Sequence, residues 1–279
     1  MRLVAILFLW LVTTVLLAAA VPAMWVQQNV ISTSGFATLS QRAAADPRLQ
    51  SAMAVELTTQ IGRLPANRDS GRTGAIARLY TANSAFPAQF SQAAVFAHRW
   101  LFTDTVRSGV DDHGRWFIDV APMLGEPEFV EILRDNGVTI PTSVPVPLTD
   151  NAPASVRPGA LREYGFWGPW LEWGLVISTA GAAILTVLSA RSRGKAIAAL
   201  GVSGLLVGAA GWAAIEFAQR PLQAALDNTT GNARTIADVM VATAQSSMHQ
   251  WLNVILTVGG GLVVVGVLVA LLAGLVGKS

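Results

Sequence analysis

From Gly174 to Ala190 the chain carries no charged residue. Trp167, Trp170 and Trp173 stand before this run, and Arg191, Arg193 and Lys195 follow it. Such a stretch constrains the fold strongly, because a backbone in hydrocarbon must satisfy its own hydrogen bonds and therefore coils into a helix. Residues 167–190 number 24. At about 1.5 Å per residue they cover the roughly 30 Å apolar core of a bilayer with some tilt. Indole rings suit the headgroup layer, and Arg and Lys mark the cytoplasmic side. The two ends of the segment differ because the two faces of a membrane differ.

Three further segments pass the same test. Residues 3–25 follow Arg2 and end at Trp25. Residues 196–215 begin beside Lys195 and hold Trp212 near their end, and residues 251–277 run from Trp251 to Lys278. Threading four spans alternately gathers Arg2, Arg191, Arg193, Lys195 and Lys278 on one side with no acidic residue among them. It brings Trp25, Trp167, Trp170, Trp173, Trp212 and Trp251 to the opposite boundary. Two independent signals thus choose one orientation, with both termini cytoplasmic.

The expected plan is a mainly α protein: a four-helix transmembrane bundle with an extracytoplasmic α+β domain inserted between the first and second spans. Its parts are a first membrane helix (1–25), the outer domain (26–165), a second span (166–190), a cytoplasmic loop (191–195), a third span (196–215), an outer helical hairpin (216–250) and a fourth span (251–277). The small residues of "LLAAAVPA" in the first segment also fit a signal peptide, but its apolar run exceeds a signal peptide's core of about 7–15 residues. The expected reading is a retained helix.

Composition agrees with burial in lipid. Only 13% of residues are charged, against about 25% in soluble domains. A net charge of +2 gives no electrostatic reason to expect nucleic acid as a partner. The absence of cysteine excludes disulfides, thiolate metal sites and cysteine nucleophiles.

Within 26–165, Asp46-Pro47 reads as an N-cap with proline in the first turn, opening a helix whose stripe is Leu49, Met53, Leu57, Ile61 and Leu64. A short helix is expected near 75–84. Another follows Phe86, with Pro87 in its first turn and Phe90, Ala94, Ala97 and Leu101 facing inward. Residues 115–120 and 138–148 read as strands flanking a helix, which is the basis of the α+β expectation.

Chemistry-bearing residues are sparse. Asp111-Asp112-His113 before Gly114 reads as a turn rather than a metal or catalytic cluster, since adjacent residues rarely converge on one ion. His98 lies beside an apolar helix face and His249 lies near Trp251; both read as packed or interfacial. Glu172 and Glu216 read as solvated at the outer interface; the alternative is a paired polar site at the outer rim, the two facing each other or an Arg such as Arg220 or Arg162. No HExxH spacing, G-x-S-x-G elbow, P-loop or dinucleotide glycine pattern occurs. The expectation is therefore no cofactor, no metal site and no nucleotide. Gly204, Gly208 and Gly211 in the third span, and Ala270 and Gly274 in the fourth, form small-residue faces that let helices approach closely. They serve either packing within the bundle or docking onto a partner.

Four loose elements carry a resemblance: Trp25, Val30, Thr33 and Phe36; Asp46, Pro47 and Gln50; Ile118, Asp119, Val120 and Pro122; and Ile140, Pro141 and Pro145. In these the chain resembles a group of uncharacterised four-pass integral membrane proteins of actinobacteria. The resemblance implies a place in a bacterial envelope and assigns no activity to any residue. The expected role is that of a non-enzymatic accessory or scaffold subunit of a larger membrane complex, with membrane lipids and an integral membrane protein as partners. The alternative is a lipid- or glycolipid-binding factor with an apolar pocket at the outer leaflet, with which the Trp-rich outer rim and the phenylalanines of 86–102 are compatible.

Overall fold

A computed structural model of the chain describes residues 2–62, 70–103, 109–110, 116–119, 145–147, 159–226 and 231–276. Among them, eight α-helices occur: α1 (Arg2–Val26), α2 (Thr33–Ala44), α3 (Pro47–Gly62), α4 (Ser70–Thr81), α5 (Phe86–Phe102), α6 (Arg162–Ser189), α7 (Arg193–Leu226) and α8 (Gly231–Val276). A π-helical turn, Gln27–Ile31, follows α1. Four helices are long and apolar enough to cross a membrane: Val4–Ile31, Arg162–Ser189, Arg193–Ala224 and Gly231–Leu275. The chain divides into two compact units.

The first unit comprises Met1–Gln28, Phe166–Leu222 and Gln245–Ser279. Its interior is small: Val21, Val207 and Leu252 are buried, with Leu17, Ile215, Met248, Trp251 and Ile255 packed on them. Hydrogen bonds set the register of its helices. Trp10 Nε1 donates to the Ala199 carbonyl at 2.9 Å, and Trp25 Nε1 donates to Ser247 Oγ at 3.3 Å. α1 therefore runs parallel to α7, and α8 runs antiparallel to both. The start of α1, the α6–α7 connection and the end of α8 share one end of this unit.

The second unit comprises Asn29–Gly165 and Gln223–Ala244. Its core is Ala43, Ala44, Leu49, Phe86 and Val239, lined by Met53, Tyr80, Phe90, Ile236 and Met240. Local signals explain the helix ends. Ser32 caps α2 by accepting from the Gly35 N–H, and the Asp46 carboxylate accepts the Arg48 N–H at 2.8 Å at the start of α3. Residues 159–161 return to the end of α5, where the Gly159 and Leu161 N–H groups donate to the carbonyls of Trp100 and Leu101. That satisfies carbonyls a helix end leaves open. Gly159 does so at φ 69°, a conformation that suits glycine.

The α+β expectation is corrected here. Among the described residues the second unit is built from helices, and its core draws on α2, α3, α5 and α8. The strands among the described residues are β1 (Gly109–Val110), β2 (Trp116–Asp119) and β3 (Pro145–Pro147). These pair only as an antiparallel ribbon in the order β1-β2-β3, not as a strand–helix–strand layer. Two of the three β3 residues are prolines, which cannot donate to a ladder. The helix expected between the strands lies outside the described residues, as does Asp111-Asp112-His113. Residues 216–250 continue the membrane helices without a break as far as Leu226 and again from Gly231.

Candidate functional site

In the first unit, hydroxyl groups tie three helices together. Thr13 Oγ1 lies 3.4 Å from Thr186 Oγ1, linking α1 to α6, and Thr14 Oγ1 lies 2.7 Å from Ser203 Oγ, linking α1 to α7. Thr13, Thr186 and Ser203 are fully buried. Each hydroxyl also lies within hydrogen-bond distance of a carbonyl four residues back on its own helix (Thr13 to Leu9, Thr14 to Trp10, Thr186 to Ala182 and Ser203 to Ala199), so with one proton each, one hydroxyl of a pair donates across the helices and its partner donates to the carbonyl. Interhelical bonds of this kind contribute about 0.6 kcal/mol each on average in membranes. The sequence reading passed over these residues; hydroxyls inside an otherwise apolar span were the available signal.

The small residues of α7 face α8. An added Cβ at Gly204 would lie 3.2 Å from the Gly259 Cα, at Gly208 2.6 Å from the Leu256 side chain, and at Gly211 2.7 Å from that of Leu252. Ala270 sits opposite Gly194, whose added Cβ would strike the Ala270 backbone nitrogen. Gly274 has open space around it. The tightest approaches to backbone atoms are at Gly194, Gly201 and Gly266, which the sequence reading did not single out. Gly194, Gly201 and Gly208 recur every seven residues, the spacing that keeps one seam facing a partner helix.

The rings near the other end divide into two groups. Trp25 and Trp251 are half-buried, and Trp212 stacks on His249 with ring centroids 3.9 Å apart. Trp167, Trp170 and Trp173 are all more than 60% exposed, as are Tyr164, Phe166 and Leu171 beside them. α6 buries only Ala182 and Thr186. Among the cations, Arg191, Arg193 and Lys195 are exposed at the α6–α7 connection; Arg2 begins α1, and Lys278 lies outside the described residues. Glu172 is half-exposed, and Glu216 is exposed and accepts from Gln219 at 3.4 Å.

In the second unit two places carry polar chemistry. His98, 4% exposed, lies between Phe36 and Phe102 at centroid distances of 4.8 and 4.3 Å. Its Nε2 is 2.9 Å from the Val30 carbonyl, so that nitrogen carries the proton. Its Nδ1 is buried and has no hydrogen-bond partner. Burial holds the imidazole below the usual histidine range, and Arg99 pushes the same way; hydrogen bonds to Val30 and Ile31 oppose them. The second place is a cleft of about 330 Å³ between α3 and α4. Gln50, Ser51, Ala54, Thr58, Arg78 and Thr81 are among the residues lining it, and no acid or histidine lines it. Among its described lining residues there is no nucleophile–base pair. Among the described residues no group of three or more His, Asp and Glu is placed to hold a metal.

Compared with protein-family models, with curated proteins and with solved structures, the chain finds no match.

Proposed function

We propose that this chain is a non-enzymatic, multi-pass protein of the plasma membrane in a bacterial cell envelope. It acts as an accessory or scaffold subunit of a larger membrane complex. Both termini lie in the cytoplasm, and the helical second unit lies outside. The observation that carries the reading is a set of glycines with no internal neighbour. Gly260, Gly261 and Gly274 on α8, and Gly174 and Gly181 on α6, have nothing within 4 Å of an added Cβ. Glycine inside a helix costs roughly 0.5–1 kcal/mol relative to alanine. At Gly204 or Gly266 close packing inside the chain offsets that cost. At Gly261 nothing in the chain does, and close approach by a helix of another protein is the use such a residue serves in lipid.

For the alternative of an outer-leaflet lipid pocket, Phe86 and Phe90 give no support, because Phe86 is in the core of the second unit and Phe90 packs on it. The docking reading is tested by purifying the chain from its native membrane in a mild detergent. A stoichiometric membrane partner should copurify with the wild-type chain. It should be lost with Gly261→Leu, which meets open space in its own chain. A solitary chain, or a partner indifferent to Gly261→Leu, would refute the reading.

A further inference from the structure

At the α6–α7 hairpin, an apolar groove and a cluster of cations lie end to end. The groove holds about 270 Å³ and is lined by Ala183, Ile184, Val187 and Leu188 of α6 and by Leu200 of α7, all aliphatic. Leu188 is three residues from Arg191, and Leu200 is five from Lys195. At about 1.5 Å per residue the groove therefore begins within roughly 8 Å of the connection. That connection carries Arg191, Arg193 and Lys195, all exposed, with Ser192 between the arginines. From Gly174 to Ala214 no acidic residue offsets them.

The two features complement one kind of molecule. Aliphatic tails are as apolar as leucine, so a groove in lipid selects by shape rather than by hydrophobicity. Cations at a membrane surface select by charge, and basic pockets between membrane helices bind anionic headgroups. A groove alone would accept any acyl chain, and cations alone would gather any anion. We propose that the hairpin binds one anionic phospholipid, with an acyl chain in the groove and its phosphate held by Arg191, Arg193 and Lys195. The proposal rests on α6 and α7 crossing the membrane; it does not depend on the docking role of α8.

The test uses the full chain in detergent micelles containing equal amounts of phosphatidylglycerol and phosphatidylcholine, read by native mass spectrometry. The wild-type chain should retain one phosphatidylglycerol with a preference of about tenfold or more, as expected for three cations near one headgroup. Arg191→Gln, Arg193→Gln and Lys195→Gln together should abolish the preference. That triple variant also removes the orientation signal, so the deciding variant is Ala183→Phe, which fills the groove and keeps every charge. It should lose the retained lipid while keeping helicity and elution volume; Leu188→Phe serves the same purpose if Ala183→Phe does not fold. Equal retention of both lipids by the wild-type chain overturns the proposal. So does retention by a folded groove-filled variant, which would leave only surface attraction, or displacement of the lipid by free glycerol phosphate, which would make the acyl chain irrelevant. Labelling of a cysteine at position 192 reports separately on how the hairpin is threaded.

Discussion

A buried histidine can hold a charge only if both ring nitrogens find acceptors. His98 finds one, the Val30 carbonyl, and its Nδ1 faces no partner. Protonation would place an unanswered N–H between two phenyl rings, which costs the desolvation of that group. The folded state therefore holds the proton less tightly than the unfolded chain, whose histidine has the ordinary value near 6.5. Unfolding takes up a proton wherever the pH lies below that value, so stability falls as pH falls. The contribution is complete above about pH 6.5 and is lost as the pH drops toward the lowered folded-state value, below which the loss levels off. Thermal midpoints of the purified chain between about pH 5 and pH 8 should show this slope. His98→Gln keeps a donor for Val30 without titrating, and it should flatten the curve. An unchanged slope in that variant would assign the effect elsewhere.

At the scale of elements, the α7–α8 pair shows where glycine is indispensable and where it is not. An added Cβ at Gly266 would strike the backbone nitrogen of Ala198, which has no rotamer to retreat into, while Gly261 opens onto free space. Gly266→Ala should therefore destabilise the first unit by about 1–3 kcal/mol or more, the usual cost of overpacking. Gly261→Ala should be neutral or stabilising by up to about 1 kcal/mol, since alanine is the better helix former. Denaturation of the detergent-solubilised chain separates the two, and equal effects would show that the helices are not in this register. The sequence made these helices legible because an uncharged run has few other uses. It made the starts of α3 and α5 legible through Asp46-Pro47 and Pro87. It was incomplete at the inner face of α5, where apolar spacing pointed to Phe90, Ala94, Ala97 and Leu101 and only Phe90 packs on the core cluster. The fully buried residues there are Phe86, Ser91, His98 and Trp100. Ser91 is buried because its hydroxyl reaches the Ala37 carbonyl at 2.8 Å, and His98 because it reaches Val30. Acceptors 54 and 68 residues away leave no trace in local periodicity. The α+β expectation failed for a related reason: short strands form at Trp116–Asp119 and Pro145–Pro147, but a few extended residues do not decide whether the domain's core is built on them.

At the scale of the whole molecule, the hydroxyl seam bears on whether the first helix stays. Cleavage of 1–25 as a leader would remove Trp10, Thr13 and Thr14, leaving buried Thr186 and Ser203 without the groups they face. The proposed threading keeps this helix and makes the number of crossings even. The register within the first unit then places Arg2, the 191–195 connection and the end of α8 at one end, and Trp25, His249 and Trp212 at the other. Cations are retained on the cytoplasmic side during insertion, so the proposed threading predicts opposite labelling at two positions. The chain has no cysteine, and a single one can be introduced without background changes. Asn83→Cys, at an exposed position in the second unit, should react with an impermeant thiol reagent in intact cells. Ser192→Cys should react only after the membrane is permeabilised. If Ser192→Cys reacts in intact cells, the orientation is reversed and the second unit faces the cytoplasm. If both react in intact cells, positions 83 and 192 lie on the same side and α6, the candidate span between them, does not cross.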